Sequence, residues 1–349
     1  MFKEKNIITG YLYFYIHFIT EIICFFSLTK VFGDSVILWL VPFLYDFVAF
    51  VPQSIIGYLC DKFPKFKPGI VGVIITVLGL LSYYVVNNFY ISIGLIALGN
   101  AFIHVSGAEV TLRTSEGKMA HSAIFVAGGS FGVVTGKLLA KTFVSYWMLI
   151  PICLTMIPFM IKADLYPKDT RCDKANYHND KVPALLVILL ATLVVIVRGY
   201  MGYGIPISWN KTIIQTIMLF SFMGIGKALG GILIDKIGMF KTALISTLIA
   251  PPLLIFGDNI MIISLLGVLF FSMTMAITLG LIVSVLKSKP GLAFGFTTIG
   301  LFLGTAPTFF FKVVEYKVDV IIILIATLIC IPILLLIIRR EDRVWNKYQ

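Results

Sequence analysis

The chain strings together apolar stretches of about twenty residues, almost without charge, from Gly10 to Ile338, with short polar breaks between them. A helix rises 1.5 Å per residue, so roughly 20 apolar residues cross a hydrocarbon core about 30 Å thick. Only 13% of the residues are charged and 59% are hydrophobic, with a mean hydropathy of +1.00. A soluble domain carries about 25% charged residues, so a water-soluble fold of this length could not clothe its exterior. Alternation of apolar and polar residues over segments of about ten does not recur, which argues against a membrane β-barrel. The spacing predicts an all-α integral membrane protein with twelve transmembrane helices, over 9–29, 36–60, 69–87, 90–112, 122–141, 145–162, 183–205, 213–235, 240–256, 259–286, 292–311 and 319–338.

The net charge of +11 would suit nucleic acid if the cations shared one patch. They do not. With the N-terminus inside, about twenty Lys and Arg fall in the inner segments, against Lys30, Lys141, Lys211, Lys312 and Lys317 outside. This is the positive-inside distribution; it predicts a multi-pass cell-membrane protein with both termini cytosolic and no nucleic-acid partner. Abundant Lys, Ile, Phe and Asn suggest a bacterial inner membrane. The longest polar stretch divides the chain into a bundle over 1–161, a cytosolic linker over 162–182 and a second bundle over 183–349. The five cysteines, Cys24, Cys60, Cys153, Cys172 and Cys330, form no CxxC pair. No disulfide, metal site or cofactor is therefore expected. The first apolar run is long enough to be a span and lacks a following cleavage site, so no signal peptide is expected.

Two segments align at an offset of about 174 residues, half the chain. Gln53-Ser-Ile-Ile-Gly57-Tyr-Leu-Cys-Asp61-Lys62 matches Lys227-Ala-Leu-Gly-Gly231-Ile-Leu-Ile-Asp235-Lys236 in Gly, Leu, Asp and Lys, and each copy ends an even-numbered span. Two six-helix halves of the same orientation follow from such a parallel repeat. In these residues the chain resembles the major facilitator superfamily, whose signature Gly-x-x-x-Asp-Arg/Lys-x-Gly lies between the second and third spans and again between the eighth and ninth. Gly57, Asp61 and Lys62 match the first copy; Gly231, Asp235, Lys236 and Gly238 match the second; Pro64 departs from the pattern. The resemblance implies two pseudo-symmetric six-helix bundles and a conformational latch at Gly57, Asp61, Lys62, Gly231, Asp235 and Lys236. A narrower stretch, Gly99-Asn-Ala-Phe-Ile-His104-Val-Ser-Gly-Ala-Glu109, is similar to the fosmidomycin-resistance exporter branch, with Val105 in place of that branch's Pro.

Glycines at spacing four occur in the fifth span (Gly128, Gly132, Gly136), the eighth (Gly226, Gly230) and the eleventh (Gly291, Gly295; Gly300, Gly304). Such faces admit close helix approach. In the resembling family, spans five and eight, and two and eleven, meet between the halves, so the glycines are expected there.

An ionisable residue inside the bilayer costs roughly 2.5–3.5 kcal/mol and marks a function by default. His17 and Glu21 lie one turn apart in the first span, and Asn100 and His104 repeat that spacing in the fourth. Asp46, Lys137, Arg198 and Lys227 also fall within spans. Substrate binding is assigned to His17, Asn100, His104, Lys137, Arg198 and Lys227, and proton coupling to Glu21 or Asp46. Glu109 is expected to pair with Arg113 one turn on. The chain has no Walker, His-Glu-x-x-His or Gly-x-Ser-x-Gly motif, so it is read as a non-enzyme. The expected function is secondary active transport of a small organic solute, anionic or zwitterionic, by alternating access with proton coupling. The expected state is a monomer whose partners are the solute, protons and the bilayer. The alternatives are a transport-inactive sensor or scaffold of the same fold, or a lipid-translocating member.

Overall fold

In lipid every backbone N–H and C=O needs an internal partner, so a chain this apolar must fold its spans as helices. The computed structural model describes residues 7–32, 40–86, 88–168, 172–310 and 316–340. It contains twelve helical spans long and apolar enough to cross a membrane: Ile7–Lys30, Leu40–Lys62, Pro68–Val85, Phe89–Thr114, Ala120–Leu139, Tyr146–Asp164, Ala184–Gly202, Ile213–Ile237, Met239–Phe256, Met261–Val285, Pro290–Phe310 and Lys317–Ile337. We call them spans 1 to 12. Each lies within a few residues of its sequence expectation. Lys3, Lys5, Arg171, Lys312, Arg343, Lys347 and both termini lie outside the described residues. Among the described residues the only β pairing is one isolated bridge, His178 to Ile338.

Three spans are broken midway. Span 2 is interrupted at Val51–Pro52, where Pro52 cannot donate a helical bond. Span 6 breaks at Thr155 and span 10 at Met273. The turn from span 8 to span 9 is one residue, Gly238, at φ +92°. A side chain is strained at that angle, so this position requires glycine.

The glycine spacings do mediate close approach, but mostly not at the interface expected for them. A side chain added at Gly128, Gly132 or Gly136 would strike the backbone carbonyls of Phe14, Phe18 or Ile22 in span 1. One at Gly226 or Gly230 would strike Leu269 or Met273 in span 10, and one at Gly304 would strike Ile196 in span 7. These glycines therefore compact the first six spans and the last six separately. Gly291 and Gly295 do lie at the contact between the two sets, as expected, joined there by glycines outside those spacings. Gly57 and Gly291 face each other backbone to backbone, Gly295 meets Ser54, and Gly231 meets Met119 and Ala123. Spans 2 and 11 also touch at their opposite ends, where the Phe43 ring packs 5.6 Å from Phe302 and 5.3 Å from Phe310.

The polar segment after span 6 is docked along its described part. The Cys172 N–H donates to Lys287 O, the Asn179 N–H to Ile337 O and the Arg339 N–H to Tyr177 O, all in or beside the last six spans. Towards the first six, the Tyr177 hydroxyl donates to Gly117 O and Lys174 pairs with Glu116 at 2.9 Å. We use "linker face" for this side of the protein.

Candidate functional site

Spans 1 and 4 bring four polar side chains to one point. On span 1, His17 and Glu21 sit one helical turn apart, and His17 Nε2 lies 3.5 Å from Glu21 Oε1. From span 4, His104 Nε2 approaches the same oxygen to 3.4 Å, and Asn100 Nδ2 also stands 3.4 Å from it. All four residues are buried. The two imidazoles meet edge to face with centroids 4.3 Å apart. Tyr45 of span 2 completes the group, its hydroxyl accepting from Asn100 Nδ2 at 2.8 Å. Nothing in the sequence distinguished Tyr45 from the other aromatics of span 2. Gly129 of span 5 was missed for the same reason: its backbone lies against the His17 ring, where a Cβ would collide.

Backbone contacts fix the orientation of both rings. His17 Nδ1 is 2.9 Å from Phe125 O, and His104 Nδ1 is 3.1 Å from Asn100 O. A carbonyl can only accept, so each Nδ1 carries the proton. In the neutral ring Nε2 is then a bare acceptor. Both Nε2 atoms point at a carboxylate oxygen, also an acceptor. Three acceptors facing one another repel, and a proton or a cation placed between them would relieve that repulsion.

The other expected site residues divide. Lys227 of span 8 crosses to span 5, donating to Ser130 Oγ at 2.9 Å, and its ammonium is within electrostatic reach of Glu21, His17 and His104. Beside it is a cavity of about 20 Å³ lined by Ser122, Val126, Met275, Leu279, Phe294 and Thr297, room for about one water. Asp46 is half-buried and feels the charge of Glu21. It makes no hydrogen bond or ion pair with any described residue. Arg198 is not brought to the cluster: it is buried among the last six spans, donating to Phe271 O at 2.7 Å and lying 4.0 Å over the Phe271 ring. Lys137 is also apart, exposed between the rings of Phe25 and Phe220 at 5.3 and 5.6 Å.

The repeated motif forms two contacts at the linker face. At the end of span 2, Asp61 accepts from the N–H groups of Gly291 (3.1 Å) and Leu292 (2.8 Å), which open span 11. At the end of span 8, Asp235 accepts from Met119 (2.8 Å) and Ala120 (2.9 Å), which open span 5. Unpaired N–H groups and the dipole make a helix start a carboxylate site. Glu109 pairs with Arg113 at 2.9 Å as expected, and Arg113 also reaches Asp61 at 3.0 Å. Lys62 and Lys236 are exposed and enter neither contact; Lys62 lies over the neighbouring Phe63 ring.

No protein-family model matches the chain, and no curated protein matches its sequence. Solved structures do match its fold. A variant of the E. coli fucose:proton symporter aligns with a TM-score of 0.70 at 14% identity, covering 95% of this chain and 98% of the other. A fucose transporter of the major facilitator superfamily in the outward conformation aligns at 0.69 and 14%, covering 94% and 98%. A proton:xylose symporter of the same superfamily, bound to 6-bromo-6-deoxy-D-glucose, aligns at 0.61 and 13%, covering 95% and 94%. The chain thus has the major facilitator fold, that of a multi-pass membrane protein, with twelve apolar helical spans among the described residues.

Proposed function

We propose that the chain is a secondary transporter that moves a small organic solute by alternating access, with protons as the coupling ion. The observation that carries this reading is the placement of buried ionisable groups where the two sets of six spans meet. His17, Glu21 and His104 come from the first set, and Lys227 reaches across from the second to Ser130. A static scaffold gains nothing from carrying such charges, and burying them costs several kcal/mol each. The fold supports the same reading, since the similar structures are described as proton symporters. In this reading residues 1–161 and 183–349 rock as two bodies about the buried cluster. The linker face is cytosolic, as are both termini, and the protein works as a monomer.

Lys227 gives the solute site its cation, which favours an anionic or zwitterionic solute. Arg198 and Lys137 are engaged elsewhere, with Phe271 and with Phe25 and Phe220, and take no part in the cluster in this conformation. Of the two carboxylates expected to carry the proton, Glu21 is enclosed by His17, His104 and Asn100. Asp46 has no fixed partner among the described residues, so the proton is assigned to Asp46.

The test is a proteoliposome loaded with a pH-sensitive dye and challenged with a panel of amino acids, carboxylates and sugar phosphates. At least one solute should acidify the lumen with the native protein, and Asp46→Asn should abolish the acidification while solute exchange persists. If no solute moves and none shifts the pH, the chain is a scaffold or sensor of this fold.

A further inference from the structure

We propose that His17, Glu21 and His104 form a binding site for a divalent cation of the zinc type, with Asn100 and Tyr45 supporting the ligands. The inference goes beyond the transport reading, because metal binding in detergent needs no moving carrier.

Three observations support it. The first is spacing. One ligand atom from each of the three residues lies within 4.8 Å of the others. The two imidazole nitrogens stand 3.5 and 3.4 Å from the one carboxylate oxygen. Zinc bonds of about 2.0–2.1 Å arranged tetrahedrally put neighbouring ligand atoms about 3.3–3.5 Å apart. For a direct hydrogen bond these separations are long. The second is the state of the ligands. Each ring donates its Nδ1 proton to a backbone carbonyl, Phe125 O or Asn100 O, and turns a bare Nε2 inward. That outer hydrogen bond is the usual device for orienting a metal-binding histidine and raising its basicity. The third is an orphan. Asn100 Oδ1 is buried without a hydrogen-bond partner, beside a site where three protein ligands would leave a fourth position for water. It is available to accept from such a water.

The donor set narrows the ion. Two imidazoles with one carboxylate suit zinc, cobalt and iron(II), whereas calcium and magnesium prefer oxygen alone. The charged groups within reach of the site are Glu21 itself, Asp46, which feels the charge of Glu21, and Lys227, whose ammonium opposes a second cation. Lys227 therefore sets the affinity from across the boundary between the two sets of spans.

The experiment titrates Co²⁺ into the full-length, metal-stripped protein in detergent and follows the visible d–d bands. Bands saturating at one Co²⁺ per chain and displaced by Zn²⁺ are expected. Glu21→Gln and His104→Asn should each weaken binding by more than the roughly 10- to 100-fold typical of an outer-shell loss. A His121→Gln/His178→Gln double variant, which removes the other two histidines, should keep the bands. Lys227→Met retains all three ligands and should tighten binding roughly tenfold by removing a like charge. It also raises the Zn²⁺-induced shift in Tm, which keeps the test decisive if a ligand variant fails to fold. Three results would overturn the proposal: no saturable band, a band that survives Glu21→Gln and His104→Asn, or weaker binding in Lys227→Met. A failed titration leaves solute-driven proton flux untouched, and a failed flux assay leaves the Co²⁺ bands in place.

Discussion

Asp61 and Asp235 occupy equivalent places in the internal repeat, and each receives two N–H groups from the start of a helix in the other set of six spans. Their surroundings differ. Asp61 also holds Arg113, which holds Glu109, and the Asp61 and Arg113 side chains are only 3% and 9% exposed. Asp235 has no ion pair with a described residue and feels only the more distant Lys118. The helix approach differs too. At Gly57 the opposing atoms are all backbone of Gly291 and Leu292, whereas at Gly231 they are the Ala123 Cβ and the backbone of Met119. One repeat has thus become a buried ionic clasp and the other a simpler carboxylate cap. The lesson is that a shared motif fixes where a contact forms, while its neighbours fix how strongly.

The largest effect is expected where backbone meets backbone. Gly57→Leu places a side chain into the Gly291 carbonyl, which cannot give way, so spans 2 and 11 should separate at the linker face. A cysteine introduced at Leu292 should then become reactive to a soluble maleimide, and solute movement should stop. Gly231→Leu meets the Ala123 Cβ and the Met119 carbonyl, neither of which can move without its backbone, so spans 5 and 8 should separate instead while Leu292 stays protected. Labelling at Leu292 in Gly231→Leu as well would mean that the two contacts open together and would erase the distinction.

Next come the carboxylates. Asp61→Asn leaves Arg113 buried with one partner fewer, a class of change that costs about 3–5 kcal/mol. Asp235→Asn removes charge from two N–H bonds without stranding a cation, and bonds to a charged group contribute about 1.5–3 kcal/mol. The fall in Tm should therefore be larger for Asp61→Asn. A double-mutant cycle sharpens the point. Asp61→Asn with Arg113→Met should show coupling of about 0.5–3 kcal/mol, as residues in one network do. Asp235→Asn with Lys118→Met should be close to additive.

Most of the frame was legible in the sequence because lipid leaves few choices. Twelve apolar runs gave twelve helices, and the doubled Gly-x-x-x-Asp motif gave the two linker-face contacts. Spacing one turn apart put His17 beside Glu21 and Asn100 beside His104. The convergence of those pairs on one oxygen was not readable, since it depends on how spans 1 and 4 rotate against each other. Tyr45 and Gly129 carry no signal, being one aromatic and one glycine among many. The glycine spacings announce close approach without naming the neighbour, so Gly291 and Gly295 met span 2 as expected while the rest did not reach the other half. Gly128, Gly132 and Gly136 therefore met span 1, not span 8. Arg198 and Lys137 had the right chemistry at the right depth but point elsewhere.

The smallest effect in this comparison belongs to the clasp outside the membrane, where Lys174 of the linker pairs with Glu116 at 2.9 Å. It joins the linker to the loop that leads into Met119 and Ala120, the donors to Asp235, so it lies on the weaker side. Both side chains are more than half exposed, at 57% and 52%, and such pairs contribute about 0–1 kcal/mol. The hydrogen bond from Lys174 holds the Glu116 carboxyl below the usual carboxylate range. A carboxyl lowered on folding adds stability above its unfolded pKa, and that stability is lost as pH falls through the folded value. Lys174→Ala should therefore lower Tm by a degree or so at pH 7, with the difference from the native protein vanishing in the acid range below the ordinary glutamate pKa of about 4.3. Added salt at neutral pH should shrink it as well, because exposed charges are screened. A Tm difference that persisted at low pH would mean that Lys174 acts through packing of its aliphatic stem. The linker would then grip the Asp235 side of the protein by contact, not by charge.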